Sequence, residues 1–301
     1  MIELQSSEWR VTVSPEFGAT ILSADCRLEG GDWQPVFHTL ENPEQGLSGG
    51  CFVMAPFANR IAGGRFDFDG KSISFPMNRP ASNVACHGLA RERTWTVIQE
   101  DRASTVLHCR IEEPDYPWRF SMTQRIAVAD KGLSISLGLE NIGTEKMPFG
   151  MGLHPWFPRS DDTLVNLSVP GFFEQDDAGL PLPRLNSRPA PFLDGQRPLA
   201  DLGQFDGCAC VWPSGAAQII WPSRQLQLDL AASGALARFV HLYSPEDRDV
   251  FCIEPVSHPP DVLNRAELGE DSSMKVLLPG ETMTGELIFR ASKIKAARSA
   301  P

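Results

Sequence analysis

The 301-residue chain lacks any apolar run approaching the roughly 18 residues that a membrane crossing needs. It also lacks a surplus of positive charge: the formal net charge is -11 and the pI about 5.0. Nucleic acids and anionic membranes are held by clustered Lys and Arg, so neither is an expected partner, and a neutral small molecule is. The first residues carry no basic segment followed by an apolar one, so no secretory signal is read and the cytoplasm is the expected compartment. The seven cysteines (Cys26, Cys51, Cys86, Cys109, Cys208, Cys210 and Cys252) never form Cys-x-x-Cys and are odd in number. They read as reduced, buried thiols rather than as a disulfide framework or a zinc cluster. In that setting the sequon Asn166-Leu167-Ser168 carries no meaning.

Long helical periodicity is missing as well. In its place stand short alternating or β-rich runs such as "WRVTVS", "STVLHCRIEE", "LSISLGLEN", "LQLDLAA" and "DVFCIEP". Turn formers separate them, among them Asp69-Gly70, Asp130-Lys131-Gly132, Asn141-Ile142-Gly143 and Pro279-Gly280. The spacing suits consecutive antiparallel strands. One all-β domain over residues 1–301, a large sandwich or barrel, is the expected fold. Residues 179–206 are poor in strand signals and rich in Pro, Arg and Asp, which reads as an elaborate loop. Residues 291–301 read as a flexible, basic tail. No internal repeat or low-complexity tract occurs.

Most catalytic signatures are also absent. There is no phosphate-cradling Gly-x-x-x-x-Gly-Lys, no His-Glu-x-x-His and no Gly-x-Ser-x-Gly elbow. Gly150-Met151-Gly152 is not a dinucleotide fingerprint, because the position of the third glycine is Pro155. Glu254 and His258 are spaced as metal ligands on a helix would be, but Pro255, Pro259 and Pro260 exclude that helix. No cofactor and no metal are expected.

Six histidines remain. His108 and His241 lie inside alternating strands, where a satisfied structural role is the simpler reading, and His38 has no informative context. His87, in "VACHGLARERTW", and His154, in "GMGLHPWFPR", sit beside glycine or proline at breaks in the pattern, where a β scaffold presents functional groups. Glu254 ends the apolar run "DVFCIEP", where a carboxylate is costly unless hydrogen-bonded or put to use. Two imidazoles and a carboxylate at strand ends make a general acid/base set, and without a nucleophile or cofactor motif they support proton transfer on a polar ligand.

At this point a resemblance enters. Residues 58–95, "ANRIAGGRFDFDGKSISFPMNRPASNVACHGLARERTW", resemble the signature of the aldose 1-epimerase (galactose mutarotase) family: Asn-Arg-Ile, a Gly-rich hairpin, a central Asn, then His-Gly and a Trp. Tyr116-Pro117, His154 in "HPWF", Phe205-Asp206, and Glu254 followed by "PVSHPPDVLN" continue the match in order, over roughly residues 10 to 290. The resemblance implies a large antiparallel β-supersandwich without a cofactor, acting on a sugar as monomer or homodimer. It implies Glu254 as the base that takes the anomeric proton, His154 as the acid at the ring oxygen and His87 as an auxiliary that positions the sugar. Arg60, Asp206, Asn59 and Trp156 become the expected sugar contacts, although Arg60 could be a surface ion pair, Asp206 a plain turn, Asn59 a backbone cap and Trp156 core packing.

The match departs from galactose-specific members at Leu89, at Pro155-Trp156-Phe157 and at Pro259-Pro260-Asp261, which leaves the sugar open. A hexose-6-phosphate 1-epimerase is the alternative, with Arg79, Arg91 and Arg93 as candidate phosphate ligands. A sugar-binding protein without catalysis is a second. A hydrolase or lyase fits less well, because no second carboxylate is evident to pair with Glu254.

Overall fold

The computed structural model describes residues 1–112, 118–185 and 195–294. Tyr116 and Pro117 lie outside these, as do residues 186–194 and 295–301. Two nine-stranded sheets dominate, and their strands pair antiparallel throughout. A single hydrophobic cluster draws on both sheets, with Val53, Leu153 and Ile253 from one and Ile126, Ile135 and Leu287 from the other. This is the all-β sandwich expected from the strand runs. Among the described residues no helix is long and apolar enough to cross a membrane.

The two sheets obey different rules of burial. In the one that contains Gly132–Asn141, residues alternate strictly between buried and half-exposed, as a sheet with one wet face requires. In the other, the central strands Cys51–Met54, Gly152–Pro158 and Val250–Val256 are buried almost without interruption. Their inward face joins the main core through Cys51, Val53, Leu153, Phe157, Phe251 and Ile253. The opposite face forms a separate small cluster of Phe52, Met54, Trp156, Cys252 and Val256. A sheet apolar on both faces must have its second face covered, and here the connecting segments cover it.

Asp69 and Gly70 both adopt positive φ (52° and 76°) between the strands Arg65–Phe68 and Lys71–Ser74, so the expected two-residue turn closes that hairpin. Two expectations need correction. Residues 179–206 contain the short strands Pro181–Leu185, Gln196–Pro198 and the start of Phe205–Cys208. The final strand, Thr282–Lys293, enters the segment expected to fray from 291, because its pairing with Leu226–Gly234 continues to Lys293.

Candidate active site

Strand register assembles the site. Gly152 pairs with Val256 and Trp156 with Cys252, so the intervening His154 stands across from Glu254. On the next strand His241 pairs with Glu254 and Tyr243 with Cys252, and beyond it Cys208 pairs with His241 and Asp206 with Tyr243. On the other side Phe52 pairs with His154. One row of the outer face therefore reads Phe52, His154, Glu254, His241, Cys208, and the next reads Trp156, Cys252, Tyr243, Asp206. His154 and Glu254 lie inside strands rather than in a turn or at strand ends, as the sequence had suggested.

Phe52, His154, Glu254 and His241 of the first row and Trp156, Tyr243 and Asp206 of the second line a cavity of about 780 Å³ that also takes in Asn59, Arg60 and His87, whereas Cys208 and Cys252 are buried and outside its lining. His154 Nε2 is 3.3 Å from Glu254 Oε1. Glu254 is 1% exposed and His154 5%. Burial pushes the Glu254 carboxyl well above its ordinary 4.5, with the Asp206 charge adding to the shift and Arg60 opposing it. Burial likewise pushes His154 well below 6.5, with His241 and Arg91 contributing. Both shifts favour the uncharged forms, so the pair holds one proton between its two groups. His154 Nδ1 and Glu254 Oε2 are buried without a protein hydrogen-bond partner, which leaves both groups with capacity for a ligand.

His154 is fixed by flat contacts on both sides. Its ring stacks on Trp156 (centroids 5.0 Å, 15°) and on Phe52 (4.6 Å, 27°). The His87 ring meets it edge-on at 5.2 Å. His87 and Gly88 both have positive φ (62° and 68°), and a Cβ on Gly88 would fall 2.1 Å from the Ala55 carbonyl oxygen, so the His-Gly dipeptide is required by the close backbone approach. Asn59 is also left-handed (φ 57°), and its carbonyl accepts the His87 N–H at 2.7 Å. Two non-glycine residues held in this uncommon region line one cavity, as strained functional sites often do.

Asp206 lies in a strand rather than a plain turn and is the hub of the opposite wall. Its Oδ1 accepts from His241 Nε2 at 2.6 Å and its Oδ2 from the Arg60 guanidinium at 2.7 Å. Burial alone would raise its pKa; the His241 hydrogen bond and charge, with Arg60, outweigh it and hold the carboxyl well below the usual range. Arg60 is thus an ion-paired wall of the cavity, joining two readings that the sequence kept apart. Asn59 Nδ2 lies 3.5 and 3.4 Å from the two ring nitrogens of His241. Trp156 lines the cavity, whereas Phe157 belongs to the main core.

Sequence reasoning missed His241 and Tyr243 as cavity residues. Strand alternation in "FVHLY" puts His241 and Tyr243 on one face, but only the pairing register places that face beside Glu254. It also missed Arg265, which ties three segments together: it donates to Asp261 (3.1 Å), to Asp176 (2.7 Å) and to the Pro181 carbonyl (2.9 Å). Asp261 in turn accepts from the Ala62 N–H and donates its own N–H to the Arg60 carbonyl. Of the suggested phosphate ligands, Arg79 and Arg91 line the cavity and Arg93 does not.

His258 is not brought together with Glu254 as a ligand. Its Nε2 accepts the Ala58 N–H (3.1 Å), so Nδ1 carries the hydrogen and donates to the Pro259 carbonyl (2.7 Å). A Cβ on Gly150 would lie 2.2 Å from this ring, so the first glycine of "GMGLHPWF" makes room for a histidine of the protein and not for substrate. The thiols among the described residues are all free, and all but Cys210 are buried. One of them bears on metal binding: ligand atoms of His154, Cys252 and Glu254 lie within 4.8 Å of one another.

Residues 1–290 match the family model of aldose 1-epimerase. The chain belongs to the aldose 1-epimerase family. It is 28% identical over 246 residues to the Escherichia coli K12 protein YphB, covering 80% of this chain and 83% of that one. It is 22% identical over 201 residues to the aldose 1-epimerase of the same organism, covering 62% and 57%. Its fold is that of a galactose mutarotase-like protein from Clostridium acetobutylicum (TM-score 0.80, 18% identity, 97% and 95% covered). The same holds for a GalM/aldose epimerase homologue from Caenorhabditis elegans (TM-score 0.81, 19% identity, 98% and 99% covered).

Proposed function

We propose that this protein is a mutarotase that interconverts the α and β anomers of a free hexose by acid/base ring opening. The observation that carries this reading is the buried pair of His154 and Glu254, 3.3 Å apart at the floor of a polar cavity, with burial favouring a neutral ring and a protonated carboxyl. Ring opening needs one group to take the proton of the anomeric hydroxyl and another to give a proton to the ring oxygen. A pair holding one proton has that inventory in every state.

With the cyclic sugar bound, Glu254 takes the O1 proton as the C1–O5 bond breaks, and His154 delivers its proton to O5. Rotation about C1–C2 and closure on the other face run the same transfers backward and return the pair to its starting state. Burial of the empty site favours neutral His154 and protonated Glu254. The cyclic sugar favours the opposite arrangement, because O1–H donates to a carboxylate and O5 accepts from an imidazolium. Direct contact between the two groups gives the proton its route on binding. Asp206, Arg60 and Asn59 hold hydroxyls, Trp156 offers its face to the C–H side of the ring, and His87 orients the ring oxygen end. Position held at hydrogen-bond range is the main requirement for such transfers.

A second reading is favoured by Arg79 and Arg91: an aldose that carries an anionic group such as a phosphate. Arg91 is largely buried beside His87 and its Nε has no hydrogen-bond partner. Saturation-transfer NMR on D-galactose, D-glucose and glucose 6-phosphate separates the readings. Wild type is expected to accelerate anomer exchange, and Glu254→Gln and His154→Gln to slow it about 10²–10⁴-fold each. Binding of sugar without acceleration would leave a sugar-binding protein instead.

A further inference from the structure

The Cys252 thiol has no part in this mechanism, yet it lies against the reacting pair. Cys252 and Glu254 are two residues apart on one strand, and so share a face; His154 stands across from Glu254 on the neighbouring strand. We propose that His154, Glu254 and Cys252 form a binding site for a divalent cation of borderline softness, of the Zn²⁺ class, and that the ion reversibly blocks the sugar site; this inhibitory role rests on the mutarotase reading.

The ligand set is imidazole, carboxylate and thiolate, the mixture that selects Zn²⁺ over Mg²⁺ or Ca²⁺. Ligand atoms within 4.8 Å of one another need only close by about 1 Å to reach the roughly 3.3–3.8 Å separations of a tetrahedral shell with bonds of about 2.0–2.3 Å. His154 has an unpartnered buried Nδ1 and Glu254 an unpartnered buried Oε2, and both residues line the cavity, which gives an ion its route to them. Trp156 and Tyr243, the cross-strand neighbours of Cys252, wall the approach to the thiol.

Binding is a proton exchange. The thiol S–H bond is replaced by a sulfur–metal bond and its proton leaves to solvent; a proton on Glu254 leaves as well when the carboxylate coordinates. Uptake therefore strengthens as pH rises. The ion occupies the Glu254 oxygen that would take the O1 proton and the His154 nitrogen whose proton would go to O5, which makes inhibition competitive with sugar.

The test uses Cd²⁺ as an optical probe and Zn²⁺ as the inhibitor, on a Cys210→Ser background because Cys210 is the thiol that is not buried. Titration with Cd²⁺ is expected to raise an ultraviolet thiolate-to-cadmium band at about one ion per chain, absent in Cys252→Ser and retained in Cys208→Ser. Zn²⁺ is expected to inhibit anomer exchange reversibly, with EDTA restoring it, and Cys252→Ser to need at least about tenfold more Zn²⁺ while keeping its metal-free rate. A band that survives in Cys252→Ser, or no band in the parent, overturns the site whether or not the protein turns over sugar. Equal Zn²⁺ sensitivity of parent and Cys252→Ser overturns the inhibitory role. Should Cys252→Ser not fold, His154→Gln and Glu254→Gln carry the optical test, each expected to weaken Cd²⁺ uptake about tenfold or more.

Discussion

The two sheets of this sandwich share a core and a pairing geometry but treat their outer faces in opposite ways. Gly132–Asn141 turns Ser134, Ser136 and Glu140 outward, half-exposed, and Ser136 makes an ordinary bond to Glu286 at 3.0 Å. Val250–Val256 turns Cys252, Glu254 and Val256 outward and all three are buried. A carboxylate facing water keeps its solvation and does little chemistry. The same group on a covered sheet face loses solvation, gathers a proton and acquires a partner 3.3 Å away. The site is thus a property of a sheet whose second face is roofed, with polar residues set into it at cross-strand positions.

The contrast can be broken or sharpened in steps of decreasing size. Asp206→Asn removes the charge that pairs with Arg60 and replaces one of the two acceptor oxygens with an NH2 donor, so either Arg60 or His241 meets a donor in place of its acceptor in a largely covered site. It is expected to lower kcat/KM about 30–100-fold, a loss of about 2–3 kcal/mol, chiefly by raising KM; a change under about threefold would remove Asp206 from sugar binding. His258→Gln tests a buried histidine that serves the fold alone. The folded His258 titrates at about 4, and the unfolded ring at about 6.5. Between those values the unfolded chain binds more protons, so the contribution is complete above 6.5 and is lost as pH falls toward 4. The variant is expected to flatten the stability difference between pH 7 and pH 4.5 by as much as about 3 kcal/mol, read from urea midpoints, with unchanged catalysis. Equal acid sensitivity of variant and wild type would show that the ring titrates freely in the folded state. Ser136→Ala, on the wet face, is expected to change stability by less than about 0.5 kcal/mol and catalysis not at all. A larger effect there would mean that the two outer faces are not as different as their burial suggests.

Much of this was legible in the chain itself. Short β-rich runs and paired turn formers announce the sandwich, and an acid closing "DVFCIEP" or a histidine inside "GMGLHPWFP" conflicts with its neighbours strongly enough to mark the site. His241 could not be read this way, because "FVHLY" is locally consistent and its importance comes from the register of its pairing with Val250–Val256. Nor could the role of Gly150, whose missing side chain clears the His258 ring. Residues 179–206 hid their strands because Pro recurs there and breaks the alternation that marks a strand. Arg60 and Asp206, read separately as a surface ion pair or a turn, become one unit only when the fold brings together positions 146 apart in sequence.

The central claim is that burial leaves His154 and Glu254 with one shared proton, and the pH dependence of kcat/KM for anomer exchange tests it most directly, since that quantity reports the free enzyme. The active form carries one proton on the pair. Activity should fall on the acid side only as pH drops through the depressed His154 value, below 6.5, and on the alkaline side only as pH climbs through the raised Glu254 value, well above 4.5. A plateau between these two limbs is the predicted result. An acid limb at or above 6.5, the behaviour of a solvated histidine, would contradict the account.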